Sequence, residues 1–333
     1  MNQAILTIQH LRKLFPVKAN RLWGGNSLHV HAVDDVSFSL QRGEILAVVG
    51  ESGCGKSTLA LTLLGLERAT SGSIQFQGQE IGGLGDLDWK AVRRQMQMVF
   101  QDPYESLNPL MTVGEIVAEP LRVHGLAGER SERDRRITAA LEDAGLKPAD
   151  TYINRRPHEL SGGQRQRVAI AATLVLEPSV ILADEPVSML DVSIRAEILN
   201  LLGDLRTRRG ISILFITHDL STVASFADRV AVMYLGRIVE IGAVKEVLAE
   251  PQHPYTQALL SVVPVPNPRL RRQRVILQGE TPNPIHLPSG CRFHPRCPLA
   301  IDKCKEIDPA LERVNEEHAV ACIRVQPETA SVA

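Results

Sequence analysis

The run Gly50-Glu51-Ser52-Gly53-Cys54-Gly55-Lys56-Ser57-Thr58 combines glycines, a lysine and hydroxyls at a spacing suited to holding a polyphosphate. Glycines at 50, 53 and 55 let the backbone turn so that successive N–H groups face inward, and a helix starting near Lys56 adds its positive N-terminal end. Lys56 would reach the β- and γ-phosphates as a point charge, and the Ser57 hydroxyl would ligate Mg²⁺. A second pair, Asp184-Glu185, closes the apolar run Val180-Ile181-Leu182-Ala183. A carboxylate at the carboxyl end of a parallel strand sits where open α/β sheets bind ligands, so Asp184 can hold Mg²⁺ through water and Glu185 can polarise an attacking water. His218-Asp219 ends another strand-like run, 211–217, and His218 would contact the terminal phosphate and hold the water and Glu185 in line. Each feature has a plainer counterpart: a glycine turn, a solvated acidic turn, a structural histidine. Their coincidence with the flanking strand signals favours the chemistry. A third string, Leu160-Ser161-Gly162-Gly163-Gln164, precedes a helix-like stretch at 164–176 whose N-terminus would point at an anion, with the paired glycines allowing close backbone approach.

The elements that must position these groups follow from periodicity. Ile45-Leu46-Ala47-Val48-Val49 reads as a buried strand by its length and branched residues. Across 4–100, strand signals at 5–8, 37–40, 45–49 and 73–76 alternate with turns, and Gly24-Gly25-Asn26 marks a loop. Residues 101–172 hold few strand signals and several amphipathic stretches, such as 131–144, before strand and helix alternation returns at 180–241. The pattern predicts an α/β fold, a mixed sheet with helices interrupted by a helical insertion. Past Gly242 the chain turns proline-rich, and the basic run 269–274 reads as linker.

Length and composition set outer limits. A chain of 333 residues with 44% apolar content can bury a large core in about two domains. A net charge of −1 lacks the basic excess of a nucleic-acid enzyme. No apolar stretch approaches the ~20 residues that cross a bilayer, and no signal peptide is legible, so the expectation is a soluble, cytosolic chain that reaches a membrane through partners. Four of the five cysteines, Cys291, Cys297, Cys304 and Cys322, crowd the C-terminal end. In a reducing compartment that grouping suits metal or free thiols, with either Zn²⁺ or an iron–sulfur cluster open, although the paired spacing of zinc knuckles is missing. Such a metal would staple a tail with little apolar surface of its own. Cys54 needs only its backbone N–H, and an exposed thiol there would be open to alkylation.

The order of phosphate loop, Gln101, Leu160 to Gln164, Asp184-Glu185, Asp191 and His218 resembles the nucleotide-binding subunit of an ATP-binding cassette (ABC) transporter, over nearly the whole chain. The resemblance implies a P-loop NTPase fold with a RecA-like lobe, ATP and Mg²⁺ as cofactors, and ATP hydrolysis. It divides the chain into an ATPase core at 1–100 and 173–245, a helical signature subdomain at 101–172, and a small cysteine-containing extension at 246–333. Two cassettes would meet head to tail, with Ser161 and Gly163 of one facing the γ-phosphate held by the other. Ser52, Cys54, Thr58, Gly162 and Gln164 join Gly50, Gly53, Gly55, Lys56 and Ser57 around the nucleotide. Gln101 would sense Mg²⁺ or the attacking water and relay the state of the site. Asp191 would cross the dimer seam, with Met189 where a small residue is common, and Phe15 would stack on adenine.

The tail narrows the resemblance. Glu250-Pro251-Gln252-His253-Pro254-Tyr255-Thr256-Gln257, then Gly279-Glu280-Thr281-Pro282 and Gly290-Cys291-Arg292-Phe293-His294-Pro295-Arg296-Cys297-Pro298, are similar to the oligopeptide and dipeptide importer ATPases. Implied partners are two transmembrane permease subunits, a second and different ATPase, and an extracytoplasmic solute-binding protein, with the chain peripheral on the cytoplasmic face of the inner membrane and no nucleic acid. Relatives with this tail carry peptides, glutathione, nickel complexes, opines or oligosaccharides, and dipeptide-transporter ATPases place a [4Fe–4S] cluster at these cysteines, with Zn²⁺ the alternative. A soluble ABC ATPase acting on nucleic acid or ribosomes is the reading from another class. Its usual second cassette or long coiled-coil insert is not visible, and the tail disfavours an exporter.

Overall fold

The computed structural model describes residues 3–17, 28–83, 85–263 and 275–325. The loop signal at Gly24-Gly25-Asn26 and the basic run 269–274 lie outside the described residues. In chain order the elements are β1 (Ala4–Pro16), β2 (His29–Gln41), β3 (Ile45–Val49), α1 (Lys56–Leu63), β4 (Ser71–Phe76), β5 (Gln79–Glu80), α2 (Asp86–Gln95), β6 (Met96–Val99), α3 (Pro103–Ser106), α4 (Val113–Val123), α5 (Arg130–Asp143), α6 (Gly162–Leu174) and β7 (Val180–Asp184). Then follow α7 (Val192–Arg209), β8 (Ser212–Thr217), α8 (Leu220–Phe226), β9 (Arg229–Tyr234), β10 (Arg237–Ala243), α9 (Val244–Ala249), α10 (Pro254–Ser261), β11 (Glu312–Arg313) and β12 (His318–Val320). The chain is α/β and divides into two compact units. No helix among the described residues is long and apolar enough to cross a membrane.

The first unit gathers Met1–Ile5, Leu40–Ile45 and Gly83–Ile216. Strands β6, β7 and β8 run parallel in that order, with Met96 opposite Val180 and Asp184 opposite Ile216. Every residue of β7 and β8 is buried, which is why both read as unbroken apolar runs. Helices α4, α5 and α6 pack on one another. α4 starts at a capping box in which Thr112 and Glu115 satisfy each other's backbone N–H groups. α7 stops at Gly210, whose φ of 66° only glycine adopts freely, with Arg206, Arg208 and Arg209 against its negative end.

The second unit gathers Leu6–Ser39, Leu46–Gly82 and Thr217–Ala333. A four-stranded sheet has the order β2-β1-β4-β5, with β4 antiparallel to both β1 and β5. Strand β3 pairs in parallel with β9, β9 antiparallel with β10, β10 with β12 and β12 with β11. β1, β2 and β4 all extend beyond the strand signals because sheet partners supply backbone bonds that side-chain pattern alone does not announce.

The C-terminal extension is part of this unit's core. Tyr255, Leu260 and Phe293 pack with Ala47 and Val49 of β3 and with Val230, Val232 and Tyr234 of β9. Tyr234 lies 4.7 Å from Tyr255 and 5.3 Å from Phe293 between ring centroids, the latter edge to face. Such pairs contribute about 0.5–1.5 kcal/mol each beyond their buried area. The expectation of a tail with little apolar surface is therefore corrected: Tyr255, Leu260 and Phe293 give it buried surface of its own. Glu240, fully buried, adds a polar anchor by accepting hydrogen bonds from the Gln252 and His253 N–H groups and pairing with His318 Nε2 at 2.8 Å.

Candidate functional site

In the second unit, β3 delivers the chain into the glycine loop and α1 leads out of it at Lys56, the residue at which a helix was expected. Gly50 and Gly55 are sterically required. A Cβ at Gly50 would lie 2.2 Å from the Met233 carbonyl oxygen, and one at Gly55, where φ is 108°, would lie 1.9 Å from that of Ala32. Lys56 is 5% exposed, and its ammonium donates to the carbonyls of Gly50 at 2.8 Å and Glu51 at 3.0 Å. Ser52 and Ser57 are exposed and Thr58 half-buried. Cys54 is buried at 2% exposure, and burial pushes its thiol up despite the charge on Lys56, so the condition for alkylation, an exposed thiol, is not met.

Phe15 is half-buried rather than core, with the Lys13 ammonium 4.5 Å from its ring centroid. His218 is exposed and directly precedes Asp219, the N-cap of α8. Burial pulls the Asp219 carboxyl up, but hydrogen bonds from Ser221 and Thr222 outweigh it and hold the group below its ordinary range.

In the first unit, Asp184 ends β7 and is 6% exposed. Glu185 turns the chain at a φ of 44°, a left-handed backbone that costs a non-glycine residue about 1–3 kcal/mol. Its N–H donates to the Ile216 carbonyl at 2.9 Å, and Ser188 Oγ donates to its carbonyl at 3.0 Å, so the bend is held from both sides. The exposed Gln101 donates through Nε2 to Glu185 Oε2 at 3.4 Å, bringing together two candidates separated by 84 positions.

The helix expected at 164–176 begins two residues earlier, as α6. Ser161 caps it: its Oγ accepts from the Gln164 N–H at 3.3 Å, and Gln164 Oε1 accepts from the Ser161 N–H at 3.0 Å. The Ser161 hydroxyl proton is left to donate to an anion. A Cβ on Gly163 would meet Ile194 Cγ2 at 2.6 Å, and Gly162 sits beside Tyr104 and Leu190. The Arg165 guanidinium lies 4.1 Å from the Tyr104 ring centroid. Asp191 precedes α7, flanked by Met189 and Val192, which are 60% and 80% exposed.

Cys291 and Cys297 both lie near Cys304 and Cys322, whose charges would oppose their ionisation. Burial first, then Cys304, Cys322 and Cys297, push Cys291 up to about 11, and burial, Cys322 and Cys304 raise Cys297. Among the described residues, however, no three His, Cys, Asp or Glu side chains are gathered as a metal-ligand set.

Sequence reasoning passed over Glu51, Tyr255, Thr281 and Arg296. The Glu51 carboxylate pairs with both terminal nitrogens of Arg296, at 2.8 and 3.2 Å, and accepts from Thr281 Oγ1 at 2.7 Å. Its N–H donates to the Tyr255 hydroxyl at 2.9 Å. One signal was available: a carboxylate inside a polyphosphate loop demands a cation to offset it.

A glycine loop between a buried strand and a helix, with an acidic pair closing another buried parallel strand, defines the class as a phosphate-loop α/β nucleotide-binding protein. The ABC transporter family matches residues 33–188, and the oligopeptide/dipeptide transporter C-terminal region matches residues 239–304. The chain is 50% identical over 323 residues to the probable peptide ABC transporter ATP-binding protein y4tS of Sinorhizobium fredii, spanning 97% of this chain and 90% of that protein. It is 48% identical over 328 residues to the oligopeptide transport ATP-binding protein OppF of Escherichia coli, spanning 98% and 97%. The ATP-binding cassette MJ0796, solved as a dimer in a post-hydrolysis state bound to ADP and Pi, is similar at a TM-score of 0.63 and 29% identity, covering 72% of this chain and 98% of that one. The chain belongs to the ATP-binding subunits of the oligopeptide/dipeptide ABC transporter family.

Proposed function

We propose that this chain is the ATP-hydrolysing subunit of an ABC importer that energises peptide uptake, working at the cytoplasmic face of the membrane through two permease subunits and an external solute-binding protein. The observation that carries it is joint: cassette and oligopeptide tail occupy one chain, which matches peptide-transport ATP-binding proteins over 97% and 98% of its length. The phosphate loop and Lys56 hold the ATP phosphates, Ser57, Gln101 and Asp184 serve Mg²⁺, and Glu185 takes the proton from the attacking water with His218 holding the γ-phosphate. The Gln101 to Glu185 hydrogen bond and the fixed bend at Glu185 support that assignment.

Dimerisation is supported by the donor-ready Ser161 cap, the glycines at 162 and 163, and the exposed apolar pair beside Asp191. ATP held between two cassettes draws them together, hydrolysis lets them part, and the helical stretch 101–172 carries that motion to the permeases. A different ATPase as the dimer partner, Phe15 against adenine, and iron–sulfur or zinc at Cys291, Cys297, Cys304 and Cys322 rest on the family resemblance. Iron, sulfide and zinc analysis of anaerobically prepared protein decides the last.

The test is Glu185→Gln. It keeps MgATP binding, lowers turnover by about 100-fold or more, and accumulates an ATP-bound dimer. Full turnover in this variant removes Glu185 as the base. Recovery of ribosomes or nucleic acid instead of two permeases with the tagged chain favours the soluble ABC reading.

A further inference from the structure

Every polar group of Glu51 is engaged. Its N–H is held by the Tyr255 hydroxyl, its carbonyl accepts from Lys56, and its carboxylate is clasped by Arg296 and Thr281. Burial alone would raise the carboxyl, but the Arg296 and Thr281 hydrogen bonds and the charges on Arg296 and Lys56 hold it below its ordinary range. Glu51 is therefore an anion inside the loop that must accept phosphate anions.

Arg296 comes to it on a rigid platform. It closes the short turn His294–Arg296, in which its N–H donates to the Phe293 carbonyl at 3.0 Å while the Phe293 ring is locked at 1% exposure among Tyr234 and Tyr255. The Arg296 side chain is 9% exposed, and its guanidinium also lies 5.9 Å from the Tyr234 ring centroid. A two-pronged guanidinium held this way neutralises the carboxylate and fixes its direction.

We propose that Arg296 is a positioning residue for nucleotide binding: from the C-terminal extension it neutralises Glu51 and holds the phosphate loop open to polyphosphate, so that nucleotide affinity depends on docking of the extension. Removing Arg296 leaves an uncompensated carboxylate facing the phosphates. Removing both charges returns the loop to neutrality. A purely structural arginine offers no such rescue. This inference rests on the assignment of the loop to ATP, and a Lys56→Ala control separates the two.

The experiment is equilibrium binding of MgATP and MgADP to the full-length chain, with thermal unfolding alongside. Arg296→Met weakens both nucleotides about tenfold, and Glu51→Gln in the same chain brings affinity back to within about threefold of wild type. Arg296→Lys, which keeps the charge and loses the fork, stays within about threefold and serves as readout should Arg296→Met fail to fold. A double variant as weak as Arg296→Met, unchanged affinity in Arg296→Met, or loss in Arg296→Lys as deep as in a folded Arg296→Met overturns the proposal. Should Arg296→Met fail to fold, a tenfold loss in Arg296→Lys overturns it. Unchanged affinity in Lys56→Ala overturns the ATP-loop assignment itself.

Discussion

Acid should loosen the C-terminal extension through a single histidine. His253 is 1% exposed and caps α10, where its Nδ1 accepts the Tyr255 N–H at 3.1 Å. An acceptor at Nδ1 requires the neutral ring with its proton on Nε2. Protonation would set N–H against N–H and place a cation beside Phe293, 5.6 Å away between ring centroids. Burial accordingly lowers the imidazole from 6.5 to about 4, with the charge of Glu240 opposing the shift. The unfolded chain takes up this proton below pH ~6.5 and the folded chain only near pH ~4, so the contribution is complete above that window and is lost as pH falls through it. At ~1.4 kcal/mol per unit, the loss reaches about 2 kcal/mol by pH ~5 and about 3 kcal/mol in full.

His253→Asn keeps an oxygen for the Tyr255 N–H and removes the titration. Urea unfolding of the full chain and the variant, compared at about pH 7.5 and about pH 5, reads the difference. The variant should be less stable near pH ~7.5 by about 1–3 kcal/mol, through lost packing, and that gap should close by about 2 kcal/mol near pH ~5. A gap independent of pH refutes the neutral buried imidazole.

Phe293→Ala should cost about 3–5 kcal/mol in denaturant unfolding and expose the extension to protease, whereas Phe293→Leu should keep most of the stability. Ser161→Ala should lose about 1 kcal/mol of helix capping but lower ATP turnover by about tenfold or more, and a loss confined to stability would remove Ser161 from the γ-phosphate. Gly53→Ala and Gly55→Ala both place a side chain at positive φ, yet only Gly55 has a neighbour within reach of its Cβ. The first should cost about 1–2 kcal/mol and the second should abolish nucleotide binding, as read by unfolding and MgATP titration.

The candidate site strings were legible because each is local. The loop from Gly50 to Ser57, the cap from Ser161 to Gln164 and the pair Asp184-Glu185 each fall within a single turn or strand end, where residue type and spacing already dictate backbone shape. Strands β3 and β7 matched their apolar runs for the same reason. The start of α6 was misplaced by two residues because glycines lower helix propensity, and the capping box outweighs them. The left-handed turn at Glu185 left no mark in the sequence, since glutamate adopts it only when surrounding bonds compel it.

The amino-acid sequence by itself determined that this protein carries a phosphate loop, an acidic pair and a capped signature helix, because those depend on neighbours a few residues apart. Only the tertiary structure decided that the C-terminal extension belongs to the core beneath that loop, and that Arg296 answers the charge of Glu51 from 245 positions away. Charge pairing and aromatic packing depend on distance in space, and a proline-rich stretch gives no local sign of which surface its buried rings will meet.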